Sequence, residues 1–169
     1  MTFPDETLKT LWAPWRAEYY KVERPLPDFL EMAAESGNDR EHLVLHRKSS
    51  AFLIMNRYPY TCGHLMAVPI RKVADLPELS AFEKGELWQL AELGEQLLRR
   101  SIRAQGFNIG LNIGKCAGAG VADHLHLHIV PRWEGDRNFM PVLAGDSIIP
   151  DGLFSVYDKL VAAMRELAE

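Results

Sequence analysis

Apolar residues occur in short runs between residues 43 and 69 and between 107 and 130, and at helical spacing between 80 and 105 and between 155 and 168. Short runs bounded by turn residues predict strands, and the wider recurrence predicts helices. Leu43-Val44-Leu45-His46 and Ala51-Phe52-Leu53-Ile54-Met55 read as two strands around the polar turn Arg47-Lys48-Ser49-Ser50. Asn56 ends the second, and Pro59 and Gly63 punctuate the loop 57–63. His64-Leu65-Met66-Ala67-Val68 is a third strand ended by Pro69, and residues 107–113 are a fourth. Residues 80–105 form the clearest helix. Ser80 and Glu83 make a capping box, Leu87, Leu90, Gly94, Leu97, Leu98 and Ile102 line one face, and Gly106 is the stop. At 1.5 Å per residue such a helix reaches roughly 37 Å, enough to cross a whole sheet. A short helix is expected from Asp28 to Glu35, closed by Gly37, and an amphipathic one over 155–168 with Val156, Leu160, Ala163, Met164 and Leu167 on one side.

The remaining strand carries the chemistry. In His124-Leu125-His126-Leu127-His128-Ile129-Val130 three histidines alternate with apolar residues, and Pro131 follows. Period two puts the histidines on one face and the apolar residues on the other, with neighbouring imidazoles roughly 6.6 Å apart along the strand. Three buried imidazoles need three sets of hydrogen-bond partners, so a purely structural role is a poor account of them. Two chemistries remain open at this point. One is a mononuclear metal site completed by His64 or Glu134; the other is a histidine nucleophile. The loop from Gly114 to Asp123 enters this strand directly and holds three glycines and three alanines. Small residues let backbone amides approach phosphate oxygens, and Lys115 adds a positive charge.

Taken together the elements give an α+β fold. A five-stranded, mainly antiparallel sheet carries one long helix and a C-terminal helix. At 169 residues with 47% hydrophobic composition, one domain over 1–169 is expected. Residues 1–27 hold Pro4, Pro14, Pro25 and Pro27 with Trp12, Trp15, Tyr19 and Tyr20. They form an aromatic arm expected to pack on the body or on a second subunit. Residues 140–169 are a C-terminal extension ending in the helix. Trp133 and Phe139 are candidates to close over a base or to pack at a dimer contact. A net charge of −4 offers no general attraction to nucleic acid or to an acidic membrane surface. There is no apolar run of about 18 residues and no signal-peptide pattern at the start. Cys62 and Cys116 are the only cysteines and read as reduced thiols. These features together predict a cytoplasmic protein.

The histidine strand resembles the defining motif of the histidine triad (HIT) superfamily. Phe52 to Arg57, Pro59 and Gly63-His64-Leu65-Met66-Ala67-Val68-Pro69 are similar to its paired strands, and Asn112-Ile113-Gly114 through Gly118-Ala119-Gly120 to its phosphate loop. Leu11-Trp12-Ala13-Pro14-Trp15-Arg16 and residues 131–139 resemble a bacterial branch that includes diadenosine tetraphosphate phosphorylases. The resemblance implies a HIT-like fold, a homodimer joined sheet edge to edge, and a nucleotide as partner. It also implies nucleotidyl transfer through a covalent nucleotidyl-histidine. His126 would be the nucleophile, and His128 would contact the α-phosphate and help protonate the leaving group. His124 and His64 would orient the triad. Asn56 would bind ribose, Asn112 would bind phosphate or orient the loop, and amides of Gly118, Ala119 and Gly120 would hold phosphate oxygens. Phosphorolysis of diadenosine tetraphosphate is the activity expected first. Hydrolysis of dinucleotide polyphosphates or adenylyl phosphoramidates is the alternative, and a nucleotide-binding regulator is the alternative from another class. No metal is required in the protein, and Mg²⁺ can accompany the polyphosphate. Relatives often carry a Cys-x-x-Cys pair for zinc where this chain has Pro27-Asp28-Phe29-Leu30. The uridylyltransferases and some phosphorylases of the superfamily have Gln where this chain has His128, a departure that weakens a transferase reading without excluding phosphorolysis.

Overall fold

The computed structural model describes residues 29–136 and 151–168. The aromatic arm and Phe139 lie outside the described residues. Five strands form one sheet: β1 (Val44–Arg47), β2 (Ala51–Met55), β3 (Leu65–Pro69), β4 (Gly106–Leu111) and β5 (Leu127–Arg132). Their spatial order is β1-β2-β3-β5-β4, and every neighbouring pair is antiparallel. β2 and β3 are buried along their whole length, because both faces of the central sheet are covered. β4 is an edge strand, with Asn108, Ile109 and Gly110 exposed.

One face is covered by α3 (Ala81–Ile102), with α4 (Leu153–Ala168) packed against α3 and β1. The Ser80–Glu83 capping box is present at the start of α3. Leu87, Leu90, Leu97 and Leu98 are buried there, each contributing about 1.5–3 kcal/mol on transfer from water. At Gly94 the helix packs directly on the sheet: a Cβ there would stand 3.4 Å from Leu65 and 3.6 Å from Leu53. The helix ends at Ile102, earlier than Gly106 suggests. Arg103 takes the left-handed cap conformation (φ 55°), and Gly106 opens β4 instead. On α4, Val156, Leu160 and Ala163 are buried while Leu167 is exposed, and the Tyr157 hydroxyl donates to Val44 O at 2.9 Å. No helix among the described residues is long and apolar enough to cross a membrane.

The opposite face carries α1 (Phe29–Glu35), which buries Leu30 and Ala33. A further turn, α2 (Asp39–His42), follows; the sequence reading missed it, although the Asn38 side chain caps it. Arg47 fastens both to β1. Its guanidinium donates to the carbonyls of Ala33, Ala34 and Ser36 and pairs with Asp39 at 2.7 Å.

The histidine strand starts later than the alternation predicts. Regular pairing begins at Leu127, and the residues before it are held by a bond from Leu125 N–H to Val73 O (2.7 Å). Pro131 lies inside β5, not after it, opposite Phe107. β3 pairs β5 only as far as Leu65 opposite Ile129, so no ladder on that side requires a donor from Pro131. The Thr61 hydroxyl instead donates to the Pro131 carbonyl at 3.3 Å.

Candidate active site

Two loops bring the functional groups to the exposed end of the histidine face. The first, residues 56–63, connects β2 to β3. It turns at Gly63, which has φ +74°; a Cβ there would stand 2.6 Å from Ile102 and 2.9 Å from Leu98. Glycine is required for both the dihedral and the close approach. That turn swings His64 under the sheet, where it is fully buried. The second loop, 112–126, connects β4 to β5 through a tight turn at Lys115–Ala117.

Between the loops lies a shallow, open cleft. It is lined by the polar groups of Asn56, Tyr60, Gly120, His126 and His128 together with the apolar or aromatic side chains of Phe29, Tyr58, Met66 and Val121. Such a mixed lining suits a ligand with both an apolar body and polar groups.

The hydrogen-bond partners assign the proton positions on the neutral histidines. Tyr60 N–H donates to His64 Nδ1 (3.1 Å), and the Asn56 side-chain amide lies 3.2 Å from the same nitrogen. Asn56 Oδ1 is already the acceptor for Tyr58 N–H at 2.9 Å, so its NH₂ faces His64. A backbone amide cannot accept, so His64 Nδ1 holds a lone pair and neutral His64 carries its proton on Nε2. That nitrogen is 2.9 Å from His128 Nδ1 and donates to it. Neutral His128 therefore carries its proton on Nε2, which is 3.4 Å from the Asn112 side-chain amide. A half-turn of that amide presents its oxygen to the proton, and the two orientations differ little in shape.

His126 has the opposite arrangement. Its Nδ1 lies 2.8 Å from the carbonyl of His124, so Nδ1–H donates and the lone pair resides on Nε2. A neutral imidazole with its lone pair on a nitrogen of a cleft-lining residue has the form a histidine nucleophile requires. His128 stands beside it, ring centroids 4.7 Å apart at 78°. The carbonyl behind Nδ1–H would stabilise the positive charge that builds on the ring as Nε2 forms a bond.

The other expected site residues fall into two groups. His124 is fully buried, and its Nε2–H donates to Pro69 O at 2.8 Å. It ties the entry of β5 to the end of β3 and is not a wall of the cleft. In the phosphate-type loop, Gly118 N–H donates to Lys115 O (3.0 Å) and Ala119 N–H to Gly114 O (3.4 Å). Of the three expected loop amides, Gly120 is the one whose residue lines the cleft. Trp133 does not close over the cleft, because its indole N–H donates to Ile102 O at 3.2 Å, at the end of α3. Glu134 is exposed in the turn after β5, so it completes no site with the histidines. Among the described residues, no three His, Cys, Asp or Glu side chains gather in a set able to hold a metal ion. Phe29, Tyr58, Tyr60, Met66 and Val121 were missed as site residues. Their side chains read as core or loop until the fold brings α1, the 56–63 loop and the 112–126 loop together.

A profile of the HIT domain matches residues 37–135, more than half of the chain. The chain belongs to the HIT family. Among curated HIT relatives, it is 39% identical over 155 residues to an AP-4-A phosphorylase of Mycobacterium tuberculosis, covering 86% of this chain and 78% of that one. It is 31% identical over 93 residues to the asymmetrical bis(5'-nucleosyl)-tetraphosphatase of Schizosaccharomyces pombe, covering 55% of this chain and 50% of that one. The fold is shared with a zinc-bound histidine triad protein from Mycobacterium smegmatis at TM-score 0.62 and 27% identity, over 75% of this chain and 86% of that one.

Proposed function

We propose that this HIT protein is an enzyme that transfers a nucleotidyl group through a covalent nucleotidyl-His126, and that its reaction is phosphorolysis of diadenosine tetraphosphate to ADP and ATP. The observation that carries the reading is the pair of contacts made by the two Nδ1 atoms: His126 Nδ1 lies 2.8 Å from the His124 carbonyl and His128 Nδ1 lies 2.9 Å from His64 Nε2. They assign a lone pair to Nε2 of neutral His126 and a proton to Nε2 of neutral His128. The first can attack phosphorus while the second donates to an oxygen on that phosphorus. The relative named a phosphorylase supports the choice of acceptor, since it spans most of both chains.

His126 Nε2 forms a bond to the α-phosphorus, and the P–O bond to the rest of the polyphosphate breaks. The electron pair leaves on the oxygen of ATP. The intermediate keeps Nδ1–H on the His124 carbonyl, which stabilises the imidazolium. An oxygen of inorganic phosphate then attacks the same phosphorus, the N–P bond breaks, its electron pair returns to Nε2, and ADP leaves. His128 stabilises the extra charge on the phosphoryl oxygens from Nε2–H. With the His64–His128 pair neutral, complete transfer of that proton would leave an anionic imidazole. Hydrogen bonding is therefore its main role. Asn56 and the cleft's apolar side chains hold the nucleoside, Gly120 and Asn112 flank the phosphates, and Mg²⁺ travels with the polyphosphate. The exposed edge of β4 supports a homodimer formed sheet to sheet.

Product chromatography from diadenosine tetraphosphate, with and without inorganic phosphate, tests the reading. ADP and ATP formed only with phosphate is the expected result. AMP and ATP formed regardless of phosphate would replace phosphorolysis with hydrolysis and keep the His126 mechanism. Undiminished turnover in a His126→Ala variant would overturn the mechanism.

A further inference from the structure

Tyr60 touches the histidine relay twice. Its backbone N–H donates to His64 Nδ1 at 3.1 Å, and its ring lies across both relay imidazoles. The ring centroids are 4.6 Å from His64 and 5.6 Å from His128, with interplanar angles of 30° and 35°. His64 and His128 are themselves 5.1 Å apart at 41°. The three rings thus form a mutually touching, tilted cluster, in which Tyr60 and His128 line the cleft and His64 lies behind them. Rotation about the outer torsion of a histidine is soft, so hydrogen bonds and packing set the direction in which its nitrogens point. The His64–His128 bond needs both rings held, because a tilt of either moves Nε2 of His128 away from the phosphate position.

We infer that Tyr60 is a positioning residue for the transfer reaction: its ring holds the His64–His128 pair in register while its N–H fixes the tautomer that gives His128 its Nε2 proton. The inference rests on the function proposed above for the site but adds a residue to it. The two contacts can be separated, because every substitution except proline keeps the backbone N–H. Tyr60→Phe keeps the ring face, whereas Tyr60→Leu keeps the N–H and removes the face.

Turnover, AMP affinity and the ¹⁵N shifts of the imidazole nitrogens are to be measured for the wild type and both variants. Tyr60→Phe is expected to stay within about twofold of wild-type kcat. Tyr60→Leu is expected to lose about 10- to 100-fold in kcat, the scale of a small misplacement of a reacting group, with AMP affinity within about threefold. Its His128 ring nitrogens are expected to leave the Nε2–H signature. Unchanged kcat and shifts in Tyr60→Leu would overturn the inference. Loss of AMP affinity equal to the loss of kcat would also overturn it, making Tyr60 a substrate contact instead. An equal defect in Tyr60→Phe would move the role to the hydroxyl. Should the wild type turn over no dinucleotide at all, the reading of the reaction fails, while the ¹⁵N shifts still decide whether the Tyr60 ring positions the pair.

Discussion

Residues 56–64 and residues 112–121 face each other across one cleft, but they are built differently. In the first loop Asn56, Cys62, Gly63 and His64 are buried, and the chain is tied to the histidines by Tyr60 N–H and by the Asn56 amide. In the second, Ile113, Lys115, Cys116, Ala117, Gly118 and Gly120 are exposed, and its backbone hydrogen bonds given above close short turns within the loop, while Asn112 at its start reaches His128 at 3.4 Å. Burial and cross-linking raise the free energy of local opening, whereas exposed turns open readily. The first loop therefore suits groups whose direction must not change, such as ring nitrogens. The second suits a ligand that arrives with a flexible polyphosphate. The cysteines follow the same division: burial, with the Asp151 carboxylate second, raises the Cys62 thiol above its usual range, while Cys116 is exposed.

The contrast can be broken by experiment, and the largest effect lies at its centre. His126→Ala should lower turnover by at least about 10³-fold and abolish the nucleotidyl adduct in mass spectrometry, with nucleotide affinity retained. On the rigid side, Gly63→Ala should cost roughly 2–4 kcal/mol in denaturant unfolding, from the positive φ and from contact with Ile102 and Leu98. Glu86→Ala should cost about 1–2 kcal/mol, since it strips the acceptor from Ser49 and Ser50 hydroxyls and from Ser50 N–H at the β1–β2 turn. On the adaptable side, Gly118→Ala meets open space at φ +85°. It should raise KM a few fold and leave the unfolding free energy within about 1–2 kcal/mol of wild type. An unfolding loss at Gly118 as large as at Gly63 would erase the distinction between the loops.

Acid sharpens the same comparison with a smaller effect. Burial pushes the Glu86 carboxyl up, but the Ser50 and Ser49 hydrogen bonds outweigh it and hold the group at about 2. Glu83 is also lowered to about 2, first by the Arg71 guanidinium and then by the Ser80 cap. A depressed folded-state value stabilises the fold above the unfolded carboxylate value of about 4.3. That contribution falls as pH drops toward 2. Urea midpoints between pH 5 and 2.5 should decline, and Glu86→Gln should decline less steeply than wild type.

Much of the fold was legible because local pattern and global demand agree. The Ser80–Glu83 box, the Leu87 to Leu98 stripe and the three apolar strand runs each satisfy a local rule, and each sits where that rule places it. Helix α2 and the early end of α3 were missed because Leu43 and Arg103 enter the left-handed region without glycine. Tertiary contacts pay for that strain, and composition does not announce it. Of the two roles the pattern allowed Trp133, closing over a base is the one the fold removes: an aromatic residue near a motif has many options, and its indole N–H meets the Ile102 carbonyl.

Sequence alone determined the chemistry carried by this chain. Three alternating histidines, an upstream histidine after a glycine and a loop of small residues specify imidazoles near phosphate-compatible amides, because period two and small side chains act locally. Tertiary structure decided what each imidazole does. His124 is spent on Pro69 O, His126 is given a lone pair on Nε2, and His128 is given a proton there. The partners that set those states come from β3, from the His124 backbone just ahead of β5 and from Tyr60 by way of His64. A tautomer is fixed by whichever group the other nitrogen meets, and most of those meetings are made by distant parts of the chain.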